Sequence, residues 1–252
     1  MTTLSDKHST IEQRTVEFTL QGKGGVGKSL ASSVRVQHLL ASNRPCAAVD
    51  TDPVNATLYG YKAFKTRRIE LMDGNNLVER RFDTLIEDIV SKDSNFVVDN
   101  GAASFLPLTN YLLQNDAISV ITSSGKKVVV HTIITGGQAL WDTLKGFRQL
   151  AKQLPESVIL VVWLNEYFGE IVWDGKSFEE MQVYTRYRSR VAGLIRIPRQ
   201  TSSTFGRDVE TMLHRKLTFD EVAASPDFGL MAKQRLAMVR RGLFDQLDLL
   251  LL

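Results

Sequence analysis

Apolar and polar positions alternate over residues 15–20 (TVEFTL), and a helix-period apolar run fills 30–41. Between them lies QGKGGVGKS, residues 21–29. Period-2 alternation predicts a strand and the 3.6-period run a helix, so the glycine-rich piece is a strand-to-helix turn. Further β-type runs fall at 46–50 (CAAVD), 95–101 (NFVVDNG), 117–121, 128–134, 157–164 (SVILVVWL) and 192–197. The run at 157–164 is almost continuously apolar, as a central parallel strand covered on both faces should be.

Helical spacing fills the intervals. Residues 81–92 place Phe82, Leu85, Ile86, Ile89 and Val90 on one face, and further helices are expected at 106–115, 139–154, 177–189, 204–214, 219–224 and 227–249. A short strand in RIELMD (68–73) and a polar bend at Gly74, Asn75 and Asn76 complete the pattern. Strands alternating with helices predict an α/β fold: a mostly parallel twisted sheet flanked by helices on both faces. One domain over 15–252 is expected, after a loose polar tail at 1–14. Residues 166–176 (EYFGEIVWDGK) read as an insertion whose three aromatics offer a partner surface.

Composition narrows the picture by exclusion. Of 252 residues, 43% are hydrophobic and 23% charged, which are ordinary globular values. The 31 basic and 28 acidic residues give a net +3, which permits anionic partners without requiring them. Cys46 is the single cysteine, so no disulfide framework, CxxC redox pair or cysteine-based zinc site can form within the chain. The first residues lack an apolar signal core, and no apolar run reaches the roughly 20 residues that span a bilayer, so a cytoplasmic protein is expected.

Chemistry concentrates at the turn. Gly22, Gly27, Lys28 and Ser29 satisfy G-x-x-x-x-G-K-[ST], and the flanking strand and helix are the context this phosphate-binding loop needs. Its glycines let backbone N–H groups converge on phosphate oxygens while the helix turns its positive end to the same anion. The expected nucleotide-binding set is Gly22, Lys23, Gly24, Gly25, Val26, Gly27, Lys28, Ser29 and Leu30. Lys28 would meet β/γ-phosphate charge and Ser29 would hold Mg²⁺. Asp99 closes the strand at 95–101 and suits a Mg²⁺-bound water; its DNG end also reads as a turn. Asp50 ends the run at 46–50 and Asp52 follows it, next to Pro53, where Asp-Pro also reads as a turn.

The early lysine in KGGVGKS, DTDP at 50–53, VVDNG at 97–101, and WLN at 163–165 with the later Ile197-Pro198 together resemble the ParA/MinD class of deviant P-loop ATPases. The connecting text, including DTDPVNAT, DNGAASFLPL, TGGQAL, GKSFE and LTFDE, is similar to the TraL family of plasmid conjugal-transfer proteins. The resemblance implies ATP and Mg²⁺ as cofactors and an ATP-dependent homodimer in which Lys23 reaches the partner's nucleotide. It further implies that Asp52 positions the attacking water, that Asp50 supports the metal or the loop, and that Asn165 reads the base with Pro198 beside it. It also implies slow, partner-stimulated hydrolysis and a partner drawn from plasmid transfer or partition proteins. Contact with DNA, directly or through that partner, stays open. So does a membrane role for the basic, amphipathic helix at 227–249, against the ordinary expectation that it packs on the sheet. A P-loop metabolic enzyme acting on a small substrate and a nucleotide-holding module without hydrolysis are the rival classes.

Overall fold

The computed structural model describes residues 13–74 and 76–250. Asn75 of the expected bend, the last two leucines and residues 1–12 of the expected tail lie outside them. The two described tail residues are tied down: Gln13 Nε2 donates to the Gly125 carbonyl at 2.8 Å, and Arg14 Nε lies 2.8 Å from Asp93 Oδ1.

The chain alternates as its apolar pattern requires. Strand β1 (Thr15–Thr19) leads through the glycine loop into α1 (Lys28–Ala41), and β2 (Cys46–Asp50) follows. A connection containing β3 (Arg67–Arg68) and the small hairpin β4 (Met72–Asp73) and β5 (Asn76–Leu77) leads to α2 (Asp83–Ser91) and β6 (Asn95–Asp99). Then come α3 (Phe105–Gln114), α4 (Ala117–Ser123), β7 (Lys127–Thr135), α5 (Leu140–Gln153) and β8 (Ile159–Asn165). A second hairpin, β9 (Val172–Trp173) and β10 (Lys176–Ser177), precedes α6 (Gln182–Tyr187) and β11 (Val191–Ile197). The chain finishes through α7 (Arg207–His214), α8 (Phe219–Ala224) and α9 (Leu230–Asp248).

The main sheet runs β11-β8-β7-β1-β6-β2-β3, and each adjacent pair of strands is parallel. Alternate side chains point to opposite faces, so each strand feeds two cores. Val128, Val130, Leu160 and Val162 join the core under α2 to α6. Val129, Ile133, Val161, Trp163 and Ile195 join the one under α1 and α7 to α9. Because the strands are parallel, β1, β2, β6, β8 and β11 all end along one edge. That edge is where an open α/β sheet places its ligand chemistry.

Several local expectations are corrected. Residues 117–121 form helix α4: Ile118 and Ile121 are buried three apart while Ser119 and Val120 face out, a helical period. RIELMD is no single strand, because β3 pairs with β2 while β4 turns back onto β5. Val90 leaves the apolar face of α2 and is 40% exposed. The stretch 177–189 breaks into α6 with 3₁₀ turns on either side. Residues 202–206 form a π-turn before α7. The long last helix packs on β11, α1 and α8 through Leu236, Leu243 and Leu247, as the ordinary expectation had it, while Met231 in its first turn is exposed. No helix among the described residues is long and apolar enough to cross a membrane.

Candidate nucleotide-binding site

The loop after β1 is fixed at both ends by buried amides. Gln21 Nε2 donates to the carbonyls of Ile133 (2.9 Å) and Thr143 (3.2 Å), tying the entry to β7 and α5. Asn165 Nδ2 donates to the Val26 carbonyl at 2.9 Å, tying the exit to the end of β8. Gly25 and Gly27 take φ values of 72° and 102°, a region that side chains resist, which is why glycine stands there. Helix α1 starts at Lys28, so its unpaired N–H groups open into the same hollow. Lys28 Nζ donates to the Lys23 carbonyl at 2.9 Å. Burial depresses the Lys28 ammonium pKa, while the charges of Asp99 and Asp52 oppose the shift. Lys23 points outward, 44% exposed, with Nζ 3.0 Å from Asp142 Oδ2 on α5.

Three carboxylates gather beside the loop. Asp99 lies opposite Thr19 on one side and Asp50 on the other, so parallel register alone brings β1, β2 and β6 together here. It is 1% exposed, hydrogen-bonded to Ser29, and 2.8 Å from Ser32 Oγ. Burial pushes its pKa up to about 7, helped by the Asp50 charge and opposed by the two serines and Lys28. Both Asp50 oxygens accept backbone N–H groups, from Asp52 and Tyr59, each at 2.9 Å. Each oxygen thus braces the backbone after β2 through one N–H and keeps a further lone pair. Asp52 Oδ1 accepts from the N–H of Val54 (2.8 Å) and Asn55 (3.1 Å), so the turn reading holds there, while the carboxyl presses on Gly101, where a Cβ would fall 2.5 Å away.

A phosphate chain and a divalent cation fit these residues: a glycine cradle, one inward ammonium, and the Ser29–Asp99 hydroxyl–carboxylate pair. No group of three His, Cys, Asp or Glu side chains that could hold a metal is present among the described residues. A cation here would therefore rely on Ser29 and Asp99, with Asp50 beside Asp99, and on the phosphates for its remaining ligands, as Mg²⁺ commonly does.

Beyond the loop opens a cavity of about 720 Å³, with Gly27, Leu30, Asn165, Pro198, Phe205 and Val209 among its walls. Its lining is overwhelmingly apolar, the character of a pocket for a flat base or another apolar group. Asn165 and Pro198 both line this cavity, with the Asn165 amide bonded to the Val26 carbonyl and to the Tyr167 N–H. Sequence reasoning missed Ser32, Gln21, Gly101 and Asp142. Ser32 had a faint signal, a small polar residue one turn after Lys28 on the sheet-facing side of a helix. Asp142 had none, since its contact with Lys23 arises only from folding.

No protein-family model matches the chain. Two Escherichia coli proteins named TraL do match it. One is 47% identical over 233 residues and the other 45% over 233, each alignment spanning 92% of this chain and 97% of the relative. Among solved structures, the MinD cell division protein of Aquifex aeolicus aligns with a TM-score of 0.50 at 15% identity, over 92% of this chain and 97% of that one. That last likeness is one of fold.

Proposed function

The chain belongs to the TraL family, and from that membership we propose that it is a Mg²⁺-dependent ATPase acting as a nucleotide-gated dimeric switch in plasmid conjugal transfer or maintenance. The observation that carries the reading is the convergence of Lys28, Ser29 and Asp99 on the glycine cradle, with a second lysine of the same loop facing outward.

Bound Mg²⁺ would neutralise charge across the β- and γ-phosphates. The remaining roles belong to the chain. Backbone N–H groups of residues 24–29 bind phosphate oxygens, and Lys28 exchanges the Lys23 carbonyl for the phosphate. Ser29 and Asp99 hold the cation. Asp52, beside Lys28 and braced by its own turn, orients the attacking water and draws on its proton. Lys23 lies at the surface in an ion pair that solvent screens, so it can leave Asp142 for the phosphates of a second subunit at small cost. A partner of the transfer or partition machinery would read the closed pair, with DNA engaged directly or through it, and the cytoplasm is the compartment that suits this role.

Size-exclusion chromatography with and without ATP, repeated with DNA and with liposomes, tests the proposal. Wild type should shift to a dimer with ATP. Lys28→Ala should lose nucleotide binding, whereas Lys23→Ala should bind ATP and stay monomeric. A Lys23→Ala protein that dimerises normally with ATP would overturn the switch.

A further inference from the structure

The cavity beside the phosphate loop does not stop at Asn165 and Pro198. It continues between α7 and α9, where Val209 and Met212 line it from one helix and Met238, Val239 and Gly242 from the other. Its volume of about 720 Å³ suits a whole drug-sized molecule, so a base at the mouth leaves much of it unfilled. Two polar ties hold the helices around this gap. Gln246 Oε1 accepts the Arg196 N–H at 2.7 Å and its Nε2 donates to the Arg196 carbonyl at 3.1 Å, fixing α9 to the end of β11. Arg235 Nε lies 2.6 Å from Asp208 Oδ2, with its guanidinium over the Phe205 ring, fixing α9 to α7. Met238 and Gly242 lie on α9 between those ties. Glycine inside a helix is unfavourable beside alanine, yet a Cβ on Gly242 would meet nothing within 4 Å. No close packing calls for it, and what it keeps is open space.

We infer that this inner part of the cavity is a second binding site, for a neutral aromatic small molecule, distinct from the nucleotide's. The chemistry of the walls selects the class. Arg196 is paired with Glu166 and Glu179, and Glu210 receives the Tyr167 hydroxyl, so neither charge is left to anchor an ionised ligand. The thioethers of Met212 and Met238 and the ring of Phe205 make favourable contacts with aromatic rings, and methionine's unbranched chain adapts to the shape it meets. The phosphate loop and α1 share the cavity through Gly27 and Leu30, so the ligand can act on nucleotide binding. By linkage each then changes the other's affinity by the same factor. The site itself stands without the nucleotide reading; only this coupling rests on it.

N-phenylnaphthylamine, a neutral probe that fluoresces in apolar surroundings, tests the site. Wild type should bind it saturably, and added ATP should move its affinity to a plateau. Gly242→Leu and Gly242→Phe, which put side chains into the open space, should weaken binding about tenfold or more, the worth of one buried apolar group. Met231→Phe, on the exposed first turn of the same helix, should bind as wild type does. Urea unfolding checks that each variant is folded. If the Gly242 variants are not, NMR of wild type decides: probe protons should show contacts to the methyls of Met212 and Met238. Absence of binding, unweakened binding by the folded Gly242 variants, or probe contacts to Met231 instead would overturn the inference. So would an affinity that keeps falling in proportion to ATP, which means one shared site. A wild type that holds the probe but not ATP leaves this site standing and removes the nucleotide reading.

Discussion

Asp99 sits where two demands conflict. Its place on β6 between β1 and β2 buries it completely among strands, which favours a neutral carboxyl, while a cation would need it ionised. The sign of the effect on stability follows from its raised pKa. Without metal, ionising Asp99 costs the folded state more than the unfolded chain, so its contribution is most favourable below the unfolded value near 4. It is lost as pH rises through about 7. Asp99→Asn lacks this loss. Urea midpoints in EDTA should therefore show the variant gaining on wild type between about pH 4 and pH 7, and parallel profiles would refute the assignment. Lys28 and Ser29 were legible in the sequence because a motif with fixed spacing constrains them, and Asp99 because it closes an apolar strand run. Ser32, Gln21 and Asp142 were not, since each finds its partner on a segment between 67 and 122 positions away, or, for Asp142, across the fold from Lys23.

The central strands could be read from their apolar runs almost to the residue, whereas α4 could not. Its AISVITS composition favours a strand, and a seven-residue segment gives too few turns for periodicity to arbitrate. Packing decided the matter: Ile118 and Ile121 reach the core only as a helix, and Asp116, in the left-handed region at its start, bonds Ser119 at 2.6 Å. Helix α8 shows the opposite case, a capping box in which Thr218 and Glu221 bond each other's backbone N–H groups. The last helix draws its hold from a few buried leucines. Leu243→Ala should cost about 2–5 kcal/mol in urea unfolding, while the exposed Met231→Ala should change stability by under about 0.5 kcal/mol. Equal effects would mean that α9 is not seated on the sheet.

Across the whole molecule a buried polar chain crosses from the surface into the sheet. Asp248 lies 2.8 Å from His38, His38 is 2.7 Å from Arg35, Arg35 grips both oxygens of Glu17, and Glu17 meets His131, whose other ring nitrogen accepts from the Trp163 indole at 3.0 Å. Burial works to raise the Glu17 pKa, but the Arg35 charge and the bonds from His131 and Arg35 overcome it and hold the carboxyl far below its ordinary range. Its stabilisation is thus present above the unfolded value near 4.5 and fades as pH falls below it. Glu17→Gln leaves Arg35 buried without its counter-charge, so a loss of about 3–5 kcal/mol at pH 7, shrinking toward pH 3, is expected from denaturant unfolding. A loss independent of pH would contradict the pairing. The order of strands in the sheet has its own effect on how the chain is made. The first strand pairs only with β6 and β7, so its edges stay open until residues 95–99 and 127–135 have left the ribosome. The loop after β1 is therefore made well before the strands and the Asn165 amide that shape it, which leaves the half-made chain with an unpaired apolar strand.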